Sequence, residues 1–337
     1  MTMTMALRKA NFTEFTPTPR FTAILALLIA QLAIAIGVFF IKISVAEIGA
    51  LSTIFNRCWI AGLVFFCCHQ SALLASNLVH YKPENANRGL SPLWKDNTSC
   101  ESDSTIKAVV LLLITGIIWV TCLVLWAVSL EHTNVANSTL MHDLSPLFAM
   151  ILGWLFFKHQ FSRQFLIAVG ITLMGVMTIG FEELHIGLDH LLGDGLGLLS
   201  AAFLALYCLL VEHLRSKLSF AVILQWVCWF GSLSLIPLIC LTSGTFHPVS
   251  SLGWLAIAGA VVFAQIIGQG LTAFSLKTVS SELASLFFPL EAVFVAVLAW
   301  IKFGEHLTGL NCLGFGLVLA GIYVALLSPP EITQSHG

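Results

Sequence analysis

Arg57, His142, Asp143 and Glu291 stand inside stretches of chain otherwise dominated by Leu, Ile, Val, Phe and Ala. In apolar surroundings a carboxylate can exchange a proton or hold a cationic group, an imidazole can change charge near neutral pH, and a guanidinium can neutralise an acid or grip an anion. His142 and Asp143 are adjacent, so on a helix they project about 100° apart and cannot readily bond each other. No nucleophile motif and no His/Glu metal spacing accompanies them, which makes an embedded acid–base enzyme the weakest reading and gives no reason to expect a metal or cofactor.

The surroundings of these residues are patterned. On a helical wheel Ser138, Thr139, His142, Asp143 and Pro146 fall within an arc of about 140°, with Leu140, Leu144, Leu147, Phe148 and Ile151 opposite. Pro146 has no amide proton, so the carbonyl of His142 loses its helical partner and a kink is predicted beside the polar cluster. Pro289 followed by Glu291 is a related device. Glu291 suits either a carboxylate bonded to backbone freed at Pro289 or a cavity and proton-coupling group. Trp119 and Trp126, seven apart, share a face, as nearly do Gln265, Gln269 and Thr272. The tryptophans fit cavity walls, packing positions or, for Trp126, the membrane interface; the glutamines fit a solute site or bonds between helices.

Such groups need elements that hold them at depth. Of 337 residues, 58% are apolar and 9% charged, against roughly 25% charged in soluble domains, so the chain reads as an all-α integral membrane protein. A window of about 19 residues finds ten apolar segments, at 22–41, 49–71, 107–129, 135–157, 162–181, 193–213, 219–241, 253–276, 281–303 and 308–327. Only helices satisfy their own backbone in lipid at such length, and the short alternating strands of a β-barrel are absent from the pattern. The 15 basic residues nearly balance the 17 acidic ones, so nothing points to nucleic acid as a partner. Nine cysteines without CxxC spacing suggest apolar filler rather than a zinc site or disulfide framework. No Gly-x-x-x-x-Gly-Lys stretch exists, which argues against ATP hydrolysis.

Charge sets an expected orientation. With the N-terminus inside, the cytoplasm receives Arg8, Lys9, Arg20, Lys82, Arg88, Lys95, Lys107, Lys158, Arg163, Arg215, Lys217 and Lys277, and the outside only Lys42 and Lys302. The expectation is a multi-pass protein of the cell (inner or plasma) membrane with both termini cytoplasmic. It divides into a cytoplasmic tail at 1–21, a five-helix repeat at 22–181 with a mobile cytoplasmic loop at 75–106, a second repeat at 182–327 and a cytoplasmic tail at 328–337. The leader lacks a convincing cleavage site, and its following apolar run exceeds a signal h-region. The loop, rich in Pro, Asn and Ser, is a linker or a binding segment; its sequon Asn97-Thr98-Ser99 reads as accidental.

A shift of about 146 residues lays "WAVSLEHTNVANSTLMHDLSPLFAMILGWLFFKHQ" on "TAFSLKTVSSELASLFFPLEAVFVAVLAWIKFGEH". Ala127 meets Ala273, Ser129 meets Ser275, Trp154 meets Trp300, Gly170 meets Gly316 and Gly175 meets Gly321. The chain is thus read as a duplication. Five crossings per copy would make the second copy enter from the opposite side, giving ten transmembrane helices in two inverted five-helix repeats. Pairs such as Gly193 with Gly197, Gly170 with Gly175 and Gly316 with Gly321 suit close helix contact.

This arrangement resembles the EamA-type members of the drug/metabolite transporter superfamily. The resemblance rests on "LSTIFNR" ending in Arg57, "GDGLGLLSAAFLALY", the glycine-spaced fifth and tenth segments and, most specifically, "SSELASLFFPLEAVFVAVLAWIKFGEHL" with Gly304-Glu305. It covers the chain outside leader, long loop and tail. The first half departs from the family's usual Gly-Glu by showing Lys158-His159, and it places His142-Asp143 where such proteins are usually apolar. The resemblance implies a central substrate cavity bordered by the first, third, fourth, sixth, eighth and ninth spans, which would bring in Trp119, Trp126, Tyr207, Gln265 and Gln269; Glu305 is implied as a packing feature near the outer interface.

Asp143 and Arg57 each lie about eight residues from the outer end of their spans, roughly 12 Å deep. A lone charge there costs at least about 2.5 to 3.5 kcal/mol on insertion scales. The expectation is an ion pair between Asp143 and Arg57, with His142 turned to the cavity as a pH-responsive group; Asp143 as a free proton or substrate site, or as a lone hydrogen-bonded acid, is the alternative. Together these readings favour a secondary transporter, an exporter of a small metabolite such as an amino acid or related compound, working by alternating access and coupled to protons, with the lipid bilayer as its other partner. A membrane-embedded sensor or scaffold is the second reading and would depend on the long loop. Oligomeric state is left open.

Overall fold

The computed structural model describes residues 19–79, 101–132, 135–180, 191–242, 245–303 and 308–327. The leader up to 18, the middle of the long loop with Cys100, the Gly304-Glu305 signature and the tail from 328 lie outside the described residues. Among the described residues every regular element is helical, and eight helices are long and apolar enough to cross a membrane. A ninth apolar helix, Arg163–Ile179, is shorter. This is an all-α membrane protein, and its outer surface is apolar accordingly: Met174, Trp154 and Ile301 are 63%, 65% and 69% exposed.

The first element, α1 (Pro19–Val79), carries two of the expected segments without an irregular loop between them. It is broken at Gly49, whose φ of +79° and ψ of 168° belong to backbone that only glycine adopts freely. Ser44 and Thr53 on either side share a hydroxyl–hydroxyl hydrogen bond of 2.9 Å. In a straight helix positions nine apart would stand about 13 Å apart, so the two arms fold back on each other at Gly49. Helix also takes up both ends of the 75–106 loop, since α1 reaches Val79 and α2 (Glu101–His132) begins well before Lys107.

The expected fourth span is two helices, α3 (Val135–His142) and α4 (Ser145–Phe157), meeting at Asp143 and Leu144 just ahead of Pro146. The kink predicted from the proline is therefore present as a full break. Then come α5 (Arg163–Gly180), α6 (Leu191–Arg215) and α7 (Phe220–Leu241). The eighth segment is α8 (Ser251–Gly259), a π-helical stretch over Ala260–Gln269, and α9 (Gly270–Ser275). The ninth is again two pieces, α10 (Ser281–Ser285) and α11 (Leu290–Phe303), joined by a tight turn through Pro289 whose amides bond three residues back. The last element is α12 (Gly309–Leu327).

Close packing follows small residues. α5 and α12 run against each other so tightly that a Cβ on Gly175 would stand 2.7 Å from the amide nitrogen of Val318, and one on Gly321 2.7 Å from that of Thr172. The other half of the glycine expectation is corrected: Gly170 and Gly316 face open space, one helical face away from the contact. On α6, Gly193 and Gly197 do serve a contact. The Ser129 hydroxyl on α2 donates to the Gly193 carbonyl (2.7 Å), and a Cβ on Gly197 would crowd Met141 of α3 at 3.0 Å.

Candidate functional site

Where the broken helices face α1, α2, α6 and the π stretch, they leave a cavity of about 80 Å³, lined among others by Gln31, Arg57, Trp126, His142, Asp143 and Glu291. The two breaks explain the placement of the acids. Asp143 sits at the end of α3, where the chain leaves helical geometry before Pro146, and Glu291 is the second residue of α11, just past Pro289. A break frees the backbone from its ladder and lets a polar side chain turn inward without crowding the preceding turn.

Seven of the nine residues singled out from the sequence line this cavity: Arg57, Trp119, Trp126, His142, Asp143, Gln269 and Glu291. Tyr207 and Gln265 stand behind the wall. Tyr207 is 1% exposed and stacks on Trp119 with ring centroids 4.5 Å apart. Gln265 is fully buried and its Nε2 donates to Sγ of Cys228 on α7 at 3.4 Å, which matches the helix-bonding alternative for that residue.

No ion pair joins Arg57 to Asp143 among the described residues. Arg57 is 6% exposed and its electrostatic neighbour among the acids is Glu291, while Asp143 is itself within electrostatic range of Glu291. Equal depth set the expectation, but depth fixes only the level of a side chain, and rotation about the helix axis decides which neighbour it meets. His142 does face the cavity, and its Nδ1 lies 2.6 Å from the Ser200 hydroxyl on α6. With that hydroxyl donating to the Gly197 carbonyl at 2.9 Å, its oxygen is free to accept from His142 in the tautomer that carries the proton on Nδ1.

Two contributors were missed. Gln31, on the first arm of α1, is fully buried on the cavity wall with both amide atoms unpartnered among the described residues; a single amide in the otherwise apolar run 22–41 was the available signal. Ser200 is the other, and only its position in the fold reveals it. Nε of Arg57 and the indole nitrogens of Trp119 and Trp126 are likewise buried without a partner. Unpaired buried donors are costly, about 1–3 kcal/mol each, and these residues line the same cavity as the two carboxylates.

The model of the EamA-like transporter family matches residues 21–181 and 191–327. An uncharacterized transporter of Synechocystis sp., sll1319, is 24% identical over 64% of this chain and 65% of its own length. The uncharacterized transporter YetK of Bacillus subtilis is 22% identical over 67% of this chain and 71% of its own. The chain thus spans just under two thirds of the Synechocystis relative. A protein of known crystal structure superposes with a TM-score of 0.71 over 91% of this chain and 98% of that one at 15% identity, which shows a shared fold.

Proposed function

Because this chain belongs to the EamA-like transporter family, we propose that it is a secondary transporter exporting a small metabolite, an amino acid or related compound, by alternating access around the cavity between its broken helices. The observation that carries this reading is the convergence of Arg57, Asp143 and Glu291 on one buried space walled by Trp119 and Trp126. A carboxylate-bearing solute suits the guanidinium and indole donors, and its amino group suits the two acids. At about 80 Å³ the cavity is well below the roughly 300–1,000 Å³ of sites that hold small organic ligands, so the reading requires the helices to part for a metabolite to bind. Midplane carboxylates that meet water from alternate sides are suited to carry protons in exchange.

The architecture of the proposal is ten crossings in two inverted repeats, with both termini cytoplasmic in the cell membrane. The arms of α1 folding back at Gly49 and the short α5 bring the eight long helices to that number. Two breaks at equivalent places in the halves, and the separate family matches to 21–181 and 191–327, support the duplication. The deciding experiment is transport into proteoliposomes from a panel of amino acids and related metabolites, with and without a pH gradient. Gradient-dependent movement of one class supports the reading. Absence of movement across the whole panel, with protein correctly inserted, rejects it.

A further inference from the structure

At the end of the bundle that carries the turn after α4, three polar contacts lie outside the cavity and outside any role assigned above. Nδ1 of His159 lies 2.7 Å from Oε1 of Glu282, the second residue of α10, whose side chain is fully buried. The site is shaped for this bond. Gly153 leaves the face of α4 open where a Cβ would stand 2.1 Å from that carboxylate oxygen and 3.3 Å from the imidazole. Lys158 ends α4 in left-handed backbone, φ +54°, a conformation that glycine usually supplies, and this turns the chain so that His159 reaches back over Gly153, whose carbonyl accepts from the His159 amide at 3.2 Å. From the other side Oε2 of Glu212 on α6 accepts from the Ser281 amide at 2.8 Å, seating the first turn of α10.

We propose that the His159–Glu282 bond, seated on Gly153, is a latch that closes the cavity toward this face of the bundle, a role that rests on the transport reading above. The mechanical link is short. α10 runs through its tight turn directly into Phe288 and Glu291, which both line the cavity, so swinging α10 away from α4 carries part of the cavity wall with it. The opposite end has a separate tie in Glu47, whose carboxylate accepts from the amides of Val249 and Ser250 and from the Ser250 hydroxyl. Two ties at opposite ends, each joining elements that must separate for access, are what alternating access needs.

Cys122 lines the cavity and reports access without reference to any solute. A protein with Cys122 as its sole cysteine is reconstituted, and its reaction with a small membrane-impermeant thiol reagent is timed from each face. H159Q and E282Q each replace one partner of this bond and should speed labelling from the His159 face about tenfold, with no gain from the Glu47 face. G153A should do the same by steric displacement, and E47Q should give the opposite sidedness. H159Q alters a side chain 14% exposed and adds no volume, so it keeps the test available if G153A does not fold. Unchanged labelling from the His159 face in H159Q and E282Q overturns the latch, and so does an equal rise from both faces, which would mean general loosening. A failed solute panel with sided Cys122 labelling would instead count against the transport reading alone.

Discussion

Gly175 and Gly321 make the same contact from opposite sides. A Cβ on Gly175 would meet Gly314 and Val318, and one on Gly321 would meet Ala168 and Thr172. The sequence offset that carries Gly175 to Gly321 also carries Ala168 to Gly314 and Thr172 to Val318. Reciprocity of this kind belongs to a pair of elements related by a two-fold axis, as the proposed inverted duplication requires.

The reciprocity makes a quantitative expectation. Gly175→Ala and Gly321→Ala each force a methyl against backbone and should destabilise by about 1–3 kcal/mol, by similar amounts. Gly170→Ala and Gly316→Ala face open space and should be neutral or stabilise by up to about 1 kcal/mol through helix propensity. Thermal unfolding in detergent separates the two classes, and a large loss at Gly170 would contradict the packing described here.

Arg57 and Glu291 should behave as a more strongly coupled pair than Arg57 and Asp143. In a double-mutant cycle on thermal stability, Arg57→Gln with Glu291→Gln is expected to show a coupling of about 0.5–3 kcal/mol. Arg57→Gln with Asp143→Asn should show a smaller coupling, because these two residues interact with Glu291 and not with each other. The reverse outcome would restore the Asp143–Arg57 pair.

The helical, membrane-spanning class was legible because lipid leaves the backbone few choices, and hydropathy reports that directly. Pro146 and Pro289 announced their breaks because a missing amide is a local fact. The aromatic wall of Trp119 and Trp126 was likewise visible from spacing along one helix. Partners across helices were less accessible: Asp143 does not pair with Arg57, and His142 meets Ser200, because axial rotation and interhelical distance are tertiary quantities. His159 stood out only as a departure from a family pattern; its bond to Glu282 needs α10 to be brought alongside α4.

Ser200→Ala removes the acceptor that fixes the His142 tautomer. The buried Nδ1 proton then has no partner in its present orientation, and a destabilisation of about 1–3 kcal/mol is expected. Ser200→Thr, which keeps the hydroxyl, should retain more of the stability than the alanine variant. Nitrogen-15 chemical shifts of the His142 ring in labelled protein provide a second check: the wild type should show Nδ1 protonated, and the alanine variant a shifted or mixed tautomer.

Gln31 separates binding from folding most cleanly. Both ends of its amide are buried and unpartnered among the described residues, so replacing it with the similarly sized, apolar Leu should leave stability unchanged or raise it by up to about 1 kcal/mol. The same change removes a donor and an acceptor from the cavity wall and should weaken uptake of the transported solute about tenfold, the equivalent of one polar contact. A residue kept for packing would show the opposite pattern, with stability lost and transport of the surviving protein intact. Measuring melting temperature and initial transport rate on the same Gln31→Leu preparation distinguishes them, because unchanged or higher stability with lower transport is the combination a solute-binding amide produces.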